Sequence, residues 1–479
     1  MPMSKLSHAK ALVTNSSPAI FRLKKFLRER QVSKSITVDF ERFEKELHEM
    51  VTEVEREAVA HELSKLDIDA PVVEIDGVPH RQVIRCEETY FSSAGPVRVM
   101  RSLYSTRADS ERAACPMELR AGIVEGRWTP LAAKQATWVV AHLTPKEGED
   151  LFELMGNMTP SKSSLDRLPK QLSSKWEEDR ERFEAELRSQ EKVPDEAVTV
   201  AVSLDGVLVP MTDGERKEKR AQAEKDGKRK SGSAGSSEAS CGTVSFYDQE
   251  GELLSTIRMG RMPEKKKLTQ KSMLTGEVLK VLAERPDLEL IKMADGAKDN
   301  WAFLSNPKIL PCGEEVVDFY HVSEHLHVAF CAAYGEKNPK AKAQWEKWRH
   351  ILRHEDNGVE KVIRALAHLK KKHPRSKKIA RELNYFRKNR KRMNYAALKD
   401  RKLPIGTGII EAACKTLATA RLKRSGMRWR HEGGQAILTF RSLVQSNRFE
   451  PAWELLNTGY KQTISVPENV IALNARRGI

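Results

Sequence analysis

From Phe40 to Leu63 apolar residues recur at 40, 43, 47, 51, 54 and 58 among Glu and Lys. That spacing puts them on one face of a helix. The pattern then alternates. VVEI, an Asp76-Gly77 turn and a partner segment through Ile84 predict a β-hairpin, and GPVRVMRSLYS predicts a further extended piece to Ser105. Thr129 and Thr144 each stand before Pro, as an N-cap stands before the first helical residue. TPLAAKQATWVVAH, TPKEGEDLFELM and SKSSLDRLPKQLSSKWEEDR therefore read as three short helices joined by tight turns. Helical spacing carries no base-reading information. This block is thus either a helix-turn-helix DNA-binding module or a small structural helical domain.

The pattern changes at VTVAVSLDGVLVPM (198–211), a dense apolar run with β-branched residues that predicts a central buried strand. The polar stretch 212–240, ending SGSAGSSEAS, buries too little surface to order itself and is predicted as a flexible loop. CGTVSFYD, an EG turn and ELLSTIRMG predict an antiparallel hairpin. A helix follows over 267–284, then strands at LELIKMAD (288–295) and EEVVDFYH (314–321). A mixed five-stranded sheet with helices on its faces accounts for this order. Residues 322–402 read as wholly helical. The chain accordingly divides into an N-terminal helical segment (1–70), a hairpin region (71–128), the helical block (129–190), the first part of an α/β domain (195–321), a basic helical insertion (322–402), the second part of that domain (403–450) and a C-terminal tail (451–479).

Charge sharpens this picture by its location. Between Lys361 and Arg430 there are 23 Lys and Arg against 3 Asp and Glu, whereas the whole chain carries +16. The remainder is slightly acidic, so the basic region reads as an electrostatic footprint for a polyanion, with nucleic acid the first candidate. The first 35 residues are also basic but show little pattern. Six cysteines form no C-x-x-C pair and fit a reducing cytosol. With no signal-peptide core and no stretch approaching 18 uninterrupted apolar residues, membrane insertion is not expected.

Three acids then stand out. Asp205 interrupts the apolar strand, where an unpaired carboxylate is costly and needs donors, a cation or a strand end open to solvent. Asp295 repeats the arrangement at the end of LIKMA, and each is followed by Gly. Glu411 lies in the first turns of a helix in LPIGTGIIEAACKTLATARLKR, ahead of six basic residues between Lys415 and Arg430. Three converging carboxylates repel one another unless divalent cations lie between them. Oxygen ligands suit Mg²⁺ or Mn²⁺, and two such ions about 4 Å apart activate a hydroxyl and stabilise the leaving oxygen of a phosphodiester. Either Asp-Gly step alone also reads as a turn.

VSLDGV around Asp205, MADGAKDNW around Asp295, DFYHVSEHL at 318–326, and GTGIIEAACK followed by RSGMRWRHEGGQAIL at 425–438 cover roughly 195–450. In this order they resemble the DDE transposases of bacterial insertion sequences, in the Kra-type group related to mutator-like elements. The resemblance implies a ribonuclease H-like catalytic domain with a helical insertion before the final acid. It implies DNA cleavage at element ends followed by strand transfer into target DNA, by a cytoplasmic, nucleoid-associated bacterial enzyme. Asp205, Asp295 and Glu411 become the triad holding two Mg²⁺ ions, for which Mn²⁺ substitutes. Asp318 and His321 match the additional Asp-x-x-His motif, where they orient a phosphate, a water or the metal-bound acids; a packed structural histidine is the other reading of His321. The partners implied are double-stranded DNA, as terminal repeats and target, and a second copy of the chain in a homodimer or larger synaptic assembly. Members of the group often carry a cysteine-rich ribbon upstream. Here SERAACPMELR offers Cys115 alone, so the hairpin region reads as a degenerate ribbon without its zinc.

Arg421, Lys423, Arg424, Arg428 and Arg430 follow the expected catalytic helix and are best placed to meet phosphates; Arg387, Lys388, Arg390, Lys391 and Arg392 form a second run that tracks backbone charge, although its helical phase turns some members away. Trp429 either stacks on an exposed base or is buried against Ile437 and Leu438. Competing readings are a DNA-binding descendant of a transposase without catalysis and a metal-dependent nuclease. More remote is a zinc peptidase using HVSEH, with His321 and His325 as ligands and Glu324 as base.

Overall fold

The computed structural model describes residues 17–32, 39–106, 113–212, 217–225, 235–468 and 470. The chain forms two compact units, 1–176 with 450–479, and 177–449.

In the first unit the helix Phe40–Leu66 is capped by Asp39, whose carboxylate accepts from the Arg42 amide. β1 (Val72–Ile75) turns through Asp76 and Gly77, both at positive φ, into β2 (Val78–Ser92). β2 runs well past Ile84 and pairs antiparallel with β3 (Gly95–Ser105). The C-terminal segment is more than a tail, because Ile464–Ser465 adds a short antiparallel strand to β1. One small core gathers Leu63, Tyr90, Val97, Val99, Cys115, Met117 and Ile123. Cys115 is a packed residue there, its thiol pushed up to about 12 by burial and by the nearby Glu118. The helices Pro130–His142, Pro145–Met155 and Lys162–Glu178 form where the Thr-Pro and Ser-rich starts place them, and Thr144 and Glu147 close a capping box.

The second unit is built on β4 (Thr199–Pro210), β5 (Ser236–Tyr247), β6 (Leu253–Arg261), β7 (Glu289–Ala294) and β8 (Glu314–Val317), in the order β6-β5-β4-β7-β8. β4, β5 and β6 form an antiparallel meander, whereas β7 and β8 run parallel to β4 and to each other. Strand order and direction together give a ribonuclease H-like sheet, with a helical insertion between β8 and the last helices. Thr199–Leu204 are buried throughout, as a central strand covered on both faces demands. Directly paired residues face the same side. Gly242 of β5 lies under Gln270 and Leu274 of the helix Leu268–Glu284, and a Cβ there would sit 2.4 Å from the Gln270 Nε2. Asp205, Cys241 and Gly260 share one register row on the opposite face, where Gly260 meets Leu438 of the helix His431–Gln445.

Two boundaries differ from the sequence expectation. Within 212–240, residues Lys217–Lys225 form a helix and 236–240 already belong to β5, because pairing with Gly206–Pro210 satisfies their backbone; residues 213–216 and 226–234 lie outside the described residues. The strand expected over 314–321 stops at Val317, since Asp318 caps the helix Phe319–Tyr334. The insertion consists mainly of the helices Phe319–Tyr334, Pro339–His354, Gly358–Lys372 and Lys377–Asn389. Leu326, Leu352, Leu366 and Phe386 from them join the core of the sheet. Among the described residues no helix is long and apolar enough to cross a membrane.

Candidate active site

β4 ends its fully buried run at Leu204, and Asp205 follows half-buried. Ser203 pairs with Met293 of β7 in parallel register, so the two strands deliver Asp205 and Asp295 to the same edge two residues further on. Asp205 senses its neighbour. Burial raises the Asp205 carboxyl above its ordinary range and the charge of Asp295 raises it further, against the opposing pull of the Gly206 amide, the Cys414 thiol and Lys267. The Gly206 N–H donates to Asp205 Oδ1 at 2.7 Å, and Cys414 Sγ lies 3.7 Å from Oδ2. Asp295 Oδ1 accepts from the Ala297 amide at 3.0 Å and from Asn300 Nδ2 at 3.3 Å. The same Asn300 amide donates to the Leu204 carbonyl at 3.2 Å and so ties the two strand ends together. Asn300 stands inside the DGAKDNW stretch but carries no charge to attract notice. Only the fold gives it this role.

Glu411 is placed differently. Its helix, Gly408–Ala413, packs on β4 and β5 and continues into a π-helical turn, Cys414–Thr419. The Glu411 side chain is exposed. Among the described residues no three His, Cys, Asp or Glu side chains gather as a group able to hold a metal ion. Asp205 and Asp295 are oxygen donors of the kind that suits Mg²⁺ or Mn²⁺, and the charge of Asp295 is one of the causes that raise Asp205. The third acid lies in sequence one helical turn before Cys414, whose thiol contacts Asp205, and does not complete a three-membered cluster among the described residues.

Asp318 points into the protein. It is buried, and its Oδ1 caps the helix Phe319–Tyr334 by accepting from the Tyr320 and His321 amides at 2.5 and 3.2 Å. Its Oδ2 accepts from the Thr407 amide at 2.9 Å and from the Thr407 hydroxyl. With the Phe319 N–H donating to the Ile405 carbonyl at 3.0 Å, this residue clips the start of the insertion to the start of the Glu411 helix. Both oxygens of Asp318 are thus engaged within the protein, on the helix that it caps and on Thr407.

His321 lies at the surface, 3.8 Å from Glu324, and meets His325 edge-on. His325 is committed elsewhere: its Nδ1 contacts Glu382 at 2.5 Å and its ring stacks on Tyr385 at 3.8 Å. Glu324 stands out in solvent, so HVSEH presents no converging ligand set.

Of the basic residues, Lys423, Arg428, Arg430, Arg387, Lys388 and Arg390 are exposed and Arg424 and Lys391 are at least partly so. Arg421 is not. It is 1 % exposed, with its guanidinium 5.5 Å from the centre of the Trp429 ring, and is unavailable for phosphate contact. Arg392 is occupied by Glu315 and Ser305 and lies over Trp301. Trp429 is half-buried, donates its indole N–H to the Leu422 carbonyl and pairs its backbone with the end of β4, which makes it a strut.

No protein-family model and no curated protein matches this chain. Among solved structures it is similar to a chain of the Drosophila P element transposase strand transfer complex, with 11% identity over 70% of this chain and 82% of that one and a TM-score of 0.25. At that level the likeness carries no argument of its own. The fold reading rests on the strand order and directions, and the site on the two aspartates they bring to one edge.

Proposed function

We propose that this protein is a metal-dependent transposase of the DDE type, cutting phosphodiesters at element ends and joining the freed ends to target DNA. The observation that carries the reading is the pair of aspartates at neighbouring parallel strand ends, with Asp205 half-buried and raised by the charge of Asp295. Asp205 and Asp295 would hold Mg²⁺ or Mn²⁺, with Glu411 as the third ligand once its helix turns the carboxylate inward. When bound, such ions activate a hydroxyl for in-line attack and stabilise the leaving oxygen. The chain's own residues supply the frame. Asn300 holds Asp295 and the end of β4 in fixed relation, and Asp318 with Thr407 anchors the helix that carries Glu411. A basic surface beside the pair suits a nucleic-acid backbone.

A second reading, a DNA-binding protein that keeps the fold without cleavage, is favoured by the exposure of Glu411 away from the aspartates. One experiment separates them. Supercoiled plasmid and duplexes bearing element ends are incubated with the full chain in Mg²⁺, Mn²⁺ or EDTA. Metal-dependent nicking that is lost in Asp205→Asn, Asp295→Asn and Glu411→Gln supports the transposase; strand-transfer products separate it from a plain nuclease. Tight DNA binding with no nicking in either metal overturns it in favour of the silent descendant.

A further inference from the structure

Beside the Asp295-Gly296 step lies a cavity of about 760 Å³ whose floor is one face of the helix Lys377–Asn389. Residues 377, 381, 384, 385 and 388 of that helix recur at the spacing of a single face and line it, with Lys298, Trp301 and Arg392 opposite. Five cations border the cavity and no carboxylate does. They are not equivalent. Arg381 is paired with Glu382 and Arg392 with Glu315. Lys298, Lys377 and Lys388 are exposed and make no ion pair among the described residues. The Tyr385 hydroxyl is buried there with no hydrogen-bond partner among the described residues. A Cβ on Gly296 would come 2.4 Å from the Tyr385 ring, so the tyrosine closes directly onto the residue after Asp295.

The aromatic rings decide what kind of ligand this is. Trp301 has the Arg392 guanidinium 4.1 Å from its ring centre, and Tyr385 is stacked on His325. A face of each ring is thus already taken, which leaves the cavity poor at stacking a base and rich in unspent donors. We propose that it is a phosphate subsite, in which Lys298, Lys377 and Lys388 seat consecutive backbone phosphates of the DNA strand passing the Asp205–Asp295 edge. The inference rests on the function proposed above only for the identity of the polyanion.

The test is DNA binding measured in EDTA, so that it is independent of cleavage. Affinity of the full chain for a short duplex of random sequence is titrated against salt, for the parent, for Lys298→Gln/Lys377→Gln/Lys388→Gln, and for Lys340→Gln/Lys342→Gln/Lys347→Gln as a control on the helix Pro339–His354. Each lost phosphate contact lowers the slope of log affinity against log salt by about 0.9. The cavity variant should therefore lose about 2–3 from the slope and about tenfold or more in affinity, with the control near the parent and all three melting alike. A parent-like slope in the cavity variant, an equal loss in the control, or tighter binding to duplex RNA than to DNA overturns the subsite. A lysine-dependent slope in a chain that never cleaves leaves the subsite standing and removes the transposase reading; cleavage with an unaltered slope does the reverse.

Discussion

Asp205 is a carboxylate that the fold holds in a costly state. Its folded carboxyl takes up a proton more readily than the unfolded one. That difference favours folding most fully below the unfolded carboxylate range and is lost as pH rises through the folded value. Asp205→Asn should therefore melt higher than the parent at neutral pH, by about 0.5–2 kcal/mol, and the gap should close as pH falls to about 4 and below. The same variant should lose metal-dependent nicking about 10²–10³-fold. Differential scanning calorimetry across pH, alongside plasmid nicking, reads both, and an unchanged or lowered melting point at neutral pH would contradict the electrostatic account. Asp205 and Asp295 draw notice in the sequence because a carboxylate in an apolar strand is costly, although either Asp-Gly step alone also reads as a turn. Arg421 misled for the opposite reason. Arginine is normally outside, and nothing local announces that this one lies over Trp429.

At the scale of elements, the hydrophobic pattern located the strands β1 to β8 and the helices from 40 to 66 and 130 to 178, but not Pro18–Val32, Pro116–Ala121, Lys298–Leu304 or Phe449–Thr458, which are too short or too weakly patterned. One boundary error comes from a side chain that acts across a long sequence gap. The strand expected to reach His321 ends at Val317 because Asp318 spends its carboxylate on amides at 320, 321 and 407. No window of neighbouring residues contains that third partner. Asp318→Ala should cost about 2–4 kcal/mol, as a helix cap and a buried link fail together. Thr407→Val, which removes only the hydroxyl, should cost about 1–2 kcal/mol. Denaturant unfolding measures both, and near-additivity in the double variant would show that the two residues do not act as one clip. The polar stretch after β4 reads as loop up to residue 240 because its small residues lack β-branching, yet residues 236–240 pair with β4.

For the whole molecule, the strand order brings two aspartates 90 residues apart in sequence to one edge of the sheet, and the helical insertion shares the sheet's core instead of hanging from it. The sequence could place these segments in order but not the tail's return: nothing in QTISV signals that it completes the sheet of β1–β3. If divalent ions bind between the acids, the folded state alone should bind them. Mn²⁺ or Mg²⁺ should then raise the unfolding free energy of the full chain, by about 2.7 kcal/mol at roughly 100-fold excess over Kd. Asp205→Asn and Asp295→Asn should show little of that gain in a thermal-shift titration. Equal gains in parent and variants would place the ion elsewhere.

The wide turn Cys414–Thr419 has a further consequence. Such turns hold one residue more than the ordinary pitch requires, so the surplus is absorbed locally and the flanking residues keep their phase. Removing Lys415 should therefore let the backbone close into a regular spiral with Glu411 on the same side of the axis relative to the buried Leu422. A one-codon deletion would thus tighten the turn while leaving the direction of the third acid almost unchanged.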